Sequence, residues 1–198
     1  MRSPIRRPKA VIFDMDGTLT RPYLDFARIK REIGAGETPI LEFLGALPDD
    51  ARRAAREKVD AWEAEGAAAS ELNPGVHELL AWLRAERIPV AILTRNTRAS
   101  VDTVLAKHAL AIDAVVTADD ALPPKPSPEP VRHLAAALGV DPREAWVVGD
   151  FRFDIESGRA AGATTVFVRT TQADDGGAGA DVALDRIDEL LDLLRSTP

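Results

Sequence analysis

The chain has 198 residues, of which 45% are hydrophobic and 29% charged, with a formal net charge of −7 and no cysteine. That length suits one cored domain with at most a small appended lobe. The acidic balance argues against bulk attraction to nucleic acid or anionic membrane, and the lack of Cys excludes disulfides, thiolate metal sites and a cysteine nucleophile. No apolar stretch approaches the roughly 18–20 residues that span a bilayer. The run behind the basic start, Ala10 to Phe13, is too short for the core of a secretion signal. A soluble cytoplasmic protein is expected, monomeric or weakly dimeric because no long apolar helix face stands out.

In chain order, the first strand is read at Ala10–Phe13, a continuous apolar run that stops at Asp14. From Tyr23 to Leu72 no strand signal occurs. Phe26/Ile29/Ile33 and Ile40/Leu41/Leu44 have helical spacing, and Asp50 to Ala69 reads as one longer helix. A helix over Gly75–Glu86, introduced by Asn73-Pro74, precedes a second strand at Val90–Leu93 ending in Thr94. Then come a helix at Arg98–His108, a strand at Ala114–Val116, a helix at Ser127–Leu138 closed by Gly139, and a strand at Ala145–Val148 running into Gly149-Asp150. Helix Ile155–Ala161, strand Thr164–Val168, a weaker strand Val182–Leu184 and helix Ile187–Leu194 complete the pattern. Ala173 to Asp181, rich in Gly and Asp, reads as a flexible loop. Strands of unbroken hydrophobicity alternating with helices predict an α/β, doubly wound, mainly parallel sheet. Residues 21–72 form a small all-helical insertion after the first strand, and residues 1–20 and 73–198 form the main domain.

In an open parallel sheet, ligands bind beyond the carboxyl ends of the strands. Those ends carry Asp14-Met-Asp16-Gly17-Thr18, Thr94-Arg95-Asn96 and Gly149-Asp150, with Asp154 following. One aspartate at a strand end commonly starts a turn. Several brought together repel, and stay ionised only around a cation; oxygen donors without His or Cys point to Mg²⁺. A carboxylate beside Mg²⁺ is a competent nucleophile toward phosphorus, and a second, protonatable group is needed for the leaving oxygen. Asp14 and Asp16 fit those two tasks, and Gly17 allows a tight turn that brings amides toward a phosphate. Thr94 offers a hydroxyl and a backbone amide. Lys125, one of five lysines, is held between prolines in Pro123-Pro-Lys125-Pro-Ser-Pro128 and supplies fixed positive charge.

The ordered set Asp14-x-Asp16-Gly17-Thr18, Thr94, Lys125-Pro126 and Gly149-Asp150-x-x-x-Asp154 resembles the haloacid dehalogenase superfamily, in particular its phosphoglycolate-phosphatase-like branch. The resemblance implies Asp14 as nucleophile and metal ligand, and Asp16 as general acid/base with its backbone carbonyl on the metal. It implies Thr94 and Lys125 on the phosphoryl group, and Asp150 and Asp154 as further Mg²⁺ ligands. Gly17, Thr18, Arg21, Arg95 and Asn96 are candidate substrate contacts, with Tyr23 near the same junction. A carboxylate at Asp16 favours hydrolysis of a small-molecule phosphoester over dehalogenation. The helical insertion matches the family's cap but is shorter than the four-helix caps of the branch. Alternatives are a phosphomutase, a phosphonate hydrolase using Lys30 or Lys58, and a non-catalytic phosphate-binding relative. Arg52, Arg53 and Arg56 read as exposed helix charges. His77, His108 and His133 read as surface or packing residues, and Trp62, Trp82 and Trp146 as core or cap–core contacts.

Overall fold

The structure is a computed structural model that describes residues 5–169, 177 and 179–198. Its elements are β1 (Ala10–Phe13), α1 (Phe26–Ile33), α2 (Ile40–Ala46), α3 (Asp49–Ala69), α4 (Val76–Ala85), β2 (Val90–Leu93), α5 (Arg98–His108), β3 (Ala114–Val116), α6 (Glu129–Ala137), β4 (Ala145–Gly149), α7 (Arg152–Ala161), β5 (Thr164–Val168), β6 (Val182–Leu184) and α8 (Glu189–Ser196). Most of the loop expected at Ala173–Asp181 lies outside the described residues.

All six strands pair in parallel in the order β3-β2-β1-β4-β5-β6. The expected unbroken hydrophobicity has a direct cause. Successive side chains of β1 point to opposite faces, and both faces are covered. Val11 and Phe13 join one apolar core with Val76, Leu79 and Leu83 of α4, Val101 and Val104 of α5, and Leu190 and Leu194 of α8. Ala10 and Ile12 join the other, under Val131 and Leu134 of α6. Alanines at Ala10, Ala91 and Ala145 keep that second face low, so α6 can approach closely.

β1 sits at the centre with β2 on one side and β4 on the other. The chain therefore reverses its winding direction there, and the carboxyl ends of β1, β2 and β4 open on one crevice. The helical segment after β1 carries its own apolar cluster: Leu24, Ile29, Leu44, Ala55 and Val59. Its two connections to the sheet run side by side. The Arg21 amide donates to the Glu71 carbonyl at 2.8 Å and the Asn73 amide to the Leu19 carbonyl at 2.9 Å. No helix among the described residues is long and apolar enough to cross a membrane.

Three helices begin two or three residues away from their expected starts, α8 among them, which opens at Glu189 rather than Ile187. α6 opens at Glu129 because Ser127 closes a turn onto the Pro124 carbonyl. α7 opens at Arg152, three residues earlier than the apolar pattern suggests, because the Asp154 carboxylate accepts the Phe151 amide and caps the helix. Trp146 is buried in the sheet core, whereas Trp62 stays within the helical insertion, donating to Glu32 under the Arg28 guanidinium. Trp62 packs on the insertion's own apolar cluster, the core reading of the two expected for it.

Candidate active site

The ends of β1 and β4 deliver Asp14, Asp150 and Asp154 to one point. Each offers a carboxylate oxygen, and those oxygens lie within 4.8 Å of one another. Two glycines make the convergence possible. Gly17 has φ +91°, and a Cβ there would stand 2.1 Å from Asp150 Oδ2. A Cβ on Gly149 would stand 2.2 Å from Asp154 Cγ. Any side chain at either position would fill the space the carboxylates occupy.

Lys125 closes the cluster. Its buried ammonium donates to Asp14 Oδ1 at 2.6 Å, Asp154 Oδ1 at 2.5 Å and the Leu93 carbonyl at 2.8 Å, so all its protons are used. Burial alone would push the lysine pKa down; Asp14 and Asp154 outweigh it, and the net direction is up. The ammonium form of Lys125 is therefore favoured. Burial likewise lifts Asp14, to about 6, against the pull of Lys125 and with Asp154 adding to the rise. One ammonium thus does not fully compensate the carboxylates. A cluster of oxygen donors still short of positive charge fits a hard divalent cation. Both Asp154 oxygens are already engaged, one by Lys125 and the other by the Phe151 amide.

Asp16 is not part of that cluster. Its carboxyl turns toward the chain entering α1, where Oδ1 accepts the Tyr23 amide at 2.9 Å. Oδ2 is buried without a hydrogen-bond partner among the described residues. Burial raises its pKa to about 7; the Tyr23 amide opposes this and the charge of Asp14 adds to it. A carboxyl with one oxygen held and the other unsatisfied is equipped to carry a proton near neutral pH.

Residues 8–162 match the haloacid dehalogenase-like hydrolase family. The chain belongs to that family. It is 33% identical over 174 residues to an uncharacterized hydrolase of Saccharomyces cerevisiae, covering 83% of this chain and 79% of the relative. It is 30% identical over 222 residues to a phosphoglycolate phosphatase of Chromobacterium violaceum, covering 97% and 99%. A crystal structure of a hydrolase from Pseudomonas syringae superposes with a TM-score of 0.80 at 27% identity, covering 96% of this chain and 99% of that one.

Within this haloacid dehalogenase-like site the remaining candidates divide. Thr18 is buried with its hydroxyl 3.5 Å from Asp150 Oδ1. The Thr94 amide is not available to a ligand: it completes the sheet by donating to the Val116 carbonyl at 3.0 Å. Its hydroxyl accepts the Asn96 amide at 3.2 Å and still has a proton to donate. The Asn96 side chain donates to the Tyr23 hydroxyl at 2.9 Å, which ties the β2 end to the start of the insertion. Arg21 is not brought to the cluster; it is exposed and pairs with Glu71 at 3.5 Å. Neither Lys30 nor Lys58 reaches it, since they donate to the Glu37 and Glu32 carbonyls inside the insertion. Arg52 and Arg53 are exposed helix charges as expected, but Arg56 is half-buried. Arg52 donates to the Leu44 and Leu47 carbonyls, and Arg56 bridges Asp60 to Asp119 on the far side of the crevice.

Sequence reasoning missed two positioning residues. Asn73, read only as a helix introducer, donates to the carbonyls of Gly17, Thr18 and Thr20 at 3.3, 2.8 and 2.9 Å and so clamps the turn after β1. Glu63, on α3, is buried and accepts both the amide and the hydroxyl of Thr97 at 2.7 and 2.8 Å. An Asn beside a Pro gave a faint signal for the first. A Glu amid other charges on a long helix gave none for the second. Between the insertion and the sheet lies a cavity of about 430 Å³, lined by Leu41, Leu44, Arg56, Thr94, Leu122 and Lys125 among others.

Proposed function

We propose that the protein is a Mg²⁺-dependent phosphatase that hydrolyses a small phosphomonoester through a phosphorylated Asp14. The observation that carries this reading is the pairing of two unlike carboxyls on one turn. Asp14 is held by a fixed ammonium, while Asp16 lies outside the acidic cluster. One Asp16 oxygen is on the Tyr23 amide and the other is buried without a partner among the described residues, and burial raises its pKa to about 7. Asp14, Asp150 and Asp154, with the Asp16 carbonyl, would hold Mg²⁺. When bound, the ion neutralises phosphate charge and lets an anionic nucleophile approach an anionic substrate.

The protein's own groups then divide the work. An Asp14 carboxylate oxygen attacks phosphorus, and the bond from phosphorus to the leaving oxygen breaks. Asp16 gives its proton to that oxygen, releasing the alcohol. The resulting Asp16 carboxylate takes a proton from water as the water oxygen attacks phosphorus. Inorganic phosphate leaves, and Asp14 is regenerated as a carboxylate. Lys125 holds Asp14 in place throughout, and its charge, with the Thr94 hydroxyl, stabilises the phosphoryl oxygens. The insertion acts as a cap that limits water access.

Substrates carrying a small organic body, phosphoglycolate among them, suit a cavity of this size. The phosphoglycolate phosphatase relative supports that class. The test is Mg²⁺-dependent release of phosphate from p-nitrophenyl phosphate and from a panel of phosphorylated metabolites. Wild type is expected to turn over and Asp14→Asn to be inert. Equal inactivity of both across the panel would refute the reading.

A further inference from the structure

The sequence places Arg95 among the substrate contacts, yet the structure commits its guanidinium elsewhere. One nitrogen donates to the Lys125 carbonyl. Another donates to Glu42 Oε2 of α2 at 2.5 Å. The guanidinium carbon lies 4.9 Å from the centroid of the Phe153 ring, and Phe153 stands between Asp150 and Asp154 in the chain. Arg152 covers the same ring at 5.2 Å, and Phe151 meets it edge-on at 5.0 Å. The Arg95 side chain is only 19% exposed.

Lys125 is thus held at both ends. Three acceptors fix its ammonium, and Arg95 fixes its carbonyl. The second restraint depends on the cap, because the guanidinium that supplies it is oriented by Glu42. A guanidinium can do this because its planar fork serves two acceptors from separate elements while its face stacks on a ring; an ammonium cannot. A single Arg–Glu pair with its carboxylate open to solvent contributes little by itself. Its consequence here is geometric: with Glu42 in place, Arg95 has one orientation, and that orientation reaches Lys125.

We propose that Arg95 is a positioning residue that couples docking of α2 to the placement of Lys125 between Asp14 and Asp154. The proposal builds on the phosphatase reading above, in which Lys125 acts on the phosphoryl group. A substrate-contact role would make Arg95 matter for some substrates and not others. A positioning role makes it matter equally for all.

The experiment compares Arg95→Lys, Glu42→Gln and the double variant with wild type. Steady-state kinetics are measured on p-nitrophenyl phosphate and phosphoglycolate, and amide exchange is followed by NMR at Lys125 and Ser127. Arg95→Lys keeps the charge but cannot bridge. It should lower kcat about tenfold on both substrates while KM stays within about threefold. Glu42→Gln should shift kcat in the same direction by less, and should add nothing in the Arg95→Lys background. Both single variants should speed exchange at Lys125 and Ser127, although Glu42 lies on α2, across the crevice from that loop. A rise in KM confined to phosphoglycolate would make Arg95 a substrate contact and overturn the proposal. So would Glu42→Gln leaving exchange at Lys125 and Ser127 at the wild-type rate. If wild type itself cleaves no phosphoester, the phosphatase reading falls, while the exchange measurement still decides whether α2 and Lys125 are coupled.

Discussion

Glu63 offers the sharpest test of how the cap is held to the sheet domain. It reaches from α3 to the amide and hydroxyl of Thr97, the residue that caps α5. Burial pushes its carboxyl above the ordinary 4.5, against the two Thr97 hydrogen bonds and the charge of Arg56, with Asp60 adding to the rise. A raised value means that the folded site prefers the neutral form. The carboxyl's contribution to stability is complete below its ordinary pKa and is lost as pH climbs through the folded one. Glu63→Gln keeps an acceptor for both Thr97 donors and cannot ionise. It should match wild type below pH 4.5 and become the more stable protein as pH rises above that. Glu63→Ala strands the buried Thr97 amide, at a cost of about 1–3 kcal/mol. Loss of the side chain's packed methylenes adds about 1 kcal/mol. For a chain of this size, each kcal/mol lowers Tm by about 2–4 °C. Urea unfolding followed by circular dichroism at several pH values on either side of 4.5 gives both results. A Glu63→Gln stability difference that stays flat with pH, or an Ala variant as stable as the Gln variant, would refute the reasoning.

Other substitutions probe the site itself. Asp16→Asn cannot protonate a leaving alkoxide, so kcat/KM on an alkyl phosphate, which reports the step that expels the alcohol, should fall about 10²–10⁴-fold. The loss on p-nitrophenyl phosphate should be smaller, since that leaving group needs no proton; equal losses on both would contradict the acid role. Gly17→Ala puts a methyl group on Asp150 in a left-handed backbone conformation. It should weaken Mg²⁺ binding, read by calorimetry, by about tenfold or more and cost about 1–2 kcal/mol in stability. Asn73→Ala removes the donor shared by three carbonyls of the β1 turn and should cost about 1–3 kcal/mol. Asn73→Asp should be no better, because a carboxylate cannot donate. Thermal denaturation of the two variants side by side checks this, and an Asp variant as stable as wild type would exclude the clamp.

The four inner strands were legible because a strand buried on both faces must be apolar at every position, and Ala10–Phe13 and Val90–Leu93 could satisfy little else. The parallel topology then carried Asp14, Thr94 and Asp150 to one edge without any knowledge of side-chain geometry, because strand ends share an edge by construction. Lys125 stood out for its prolines, and its partners are two of the carboxylates the strand ends deliver. What the sequence left open was where polar atoms go once the chain is packed. Asp14 and Asp16 are chemically alike and nearly adjacent, yet one faces an ammonium and the other the amide of Tyr23. Nothing in their spacing assigns those surroundings. Arg95 and Thr94 were read from their places beside the site, but the Thr94 amide is drawn into the sheet and the Arg95 fork into a bridge between the cap and Lys125. Hydrophobic periodicity is a local property written along the chain, and it settled the layers. Hydrogen-bond partners can lie far apart in the chain, as Lys125 and Asp14 do at 111 positions, and only the folded arrangement chose them.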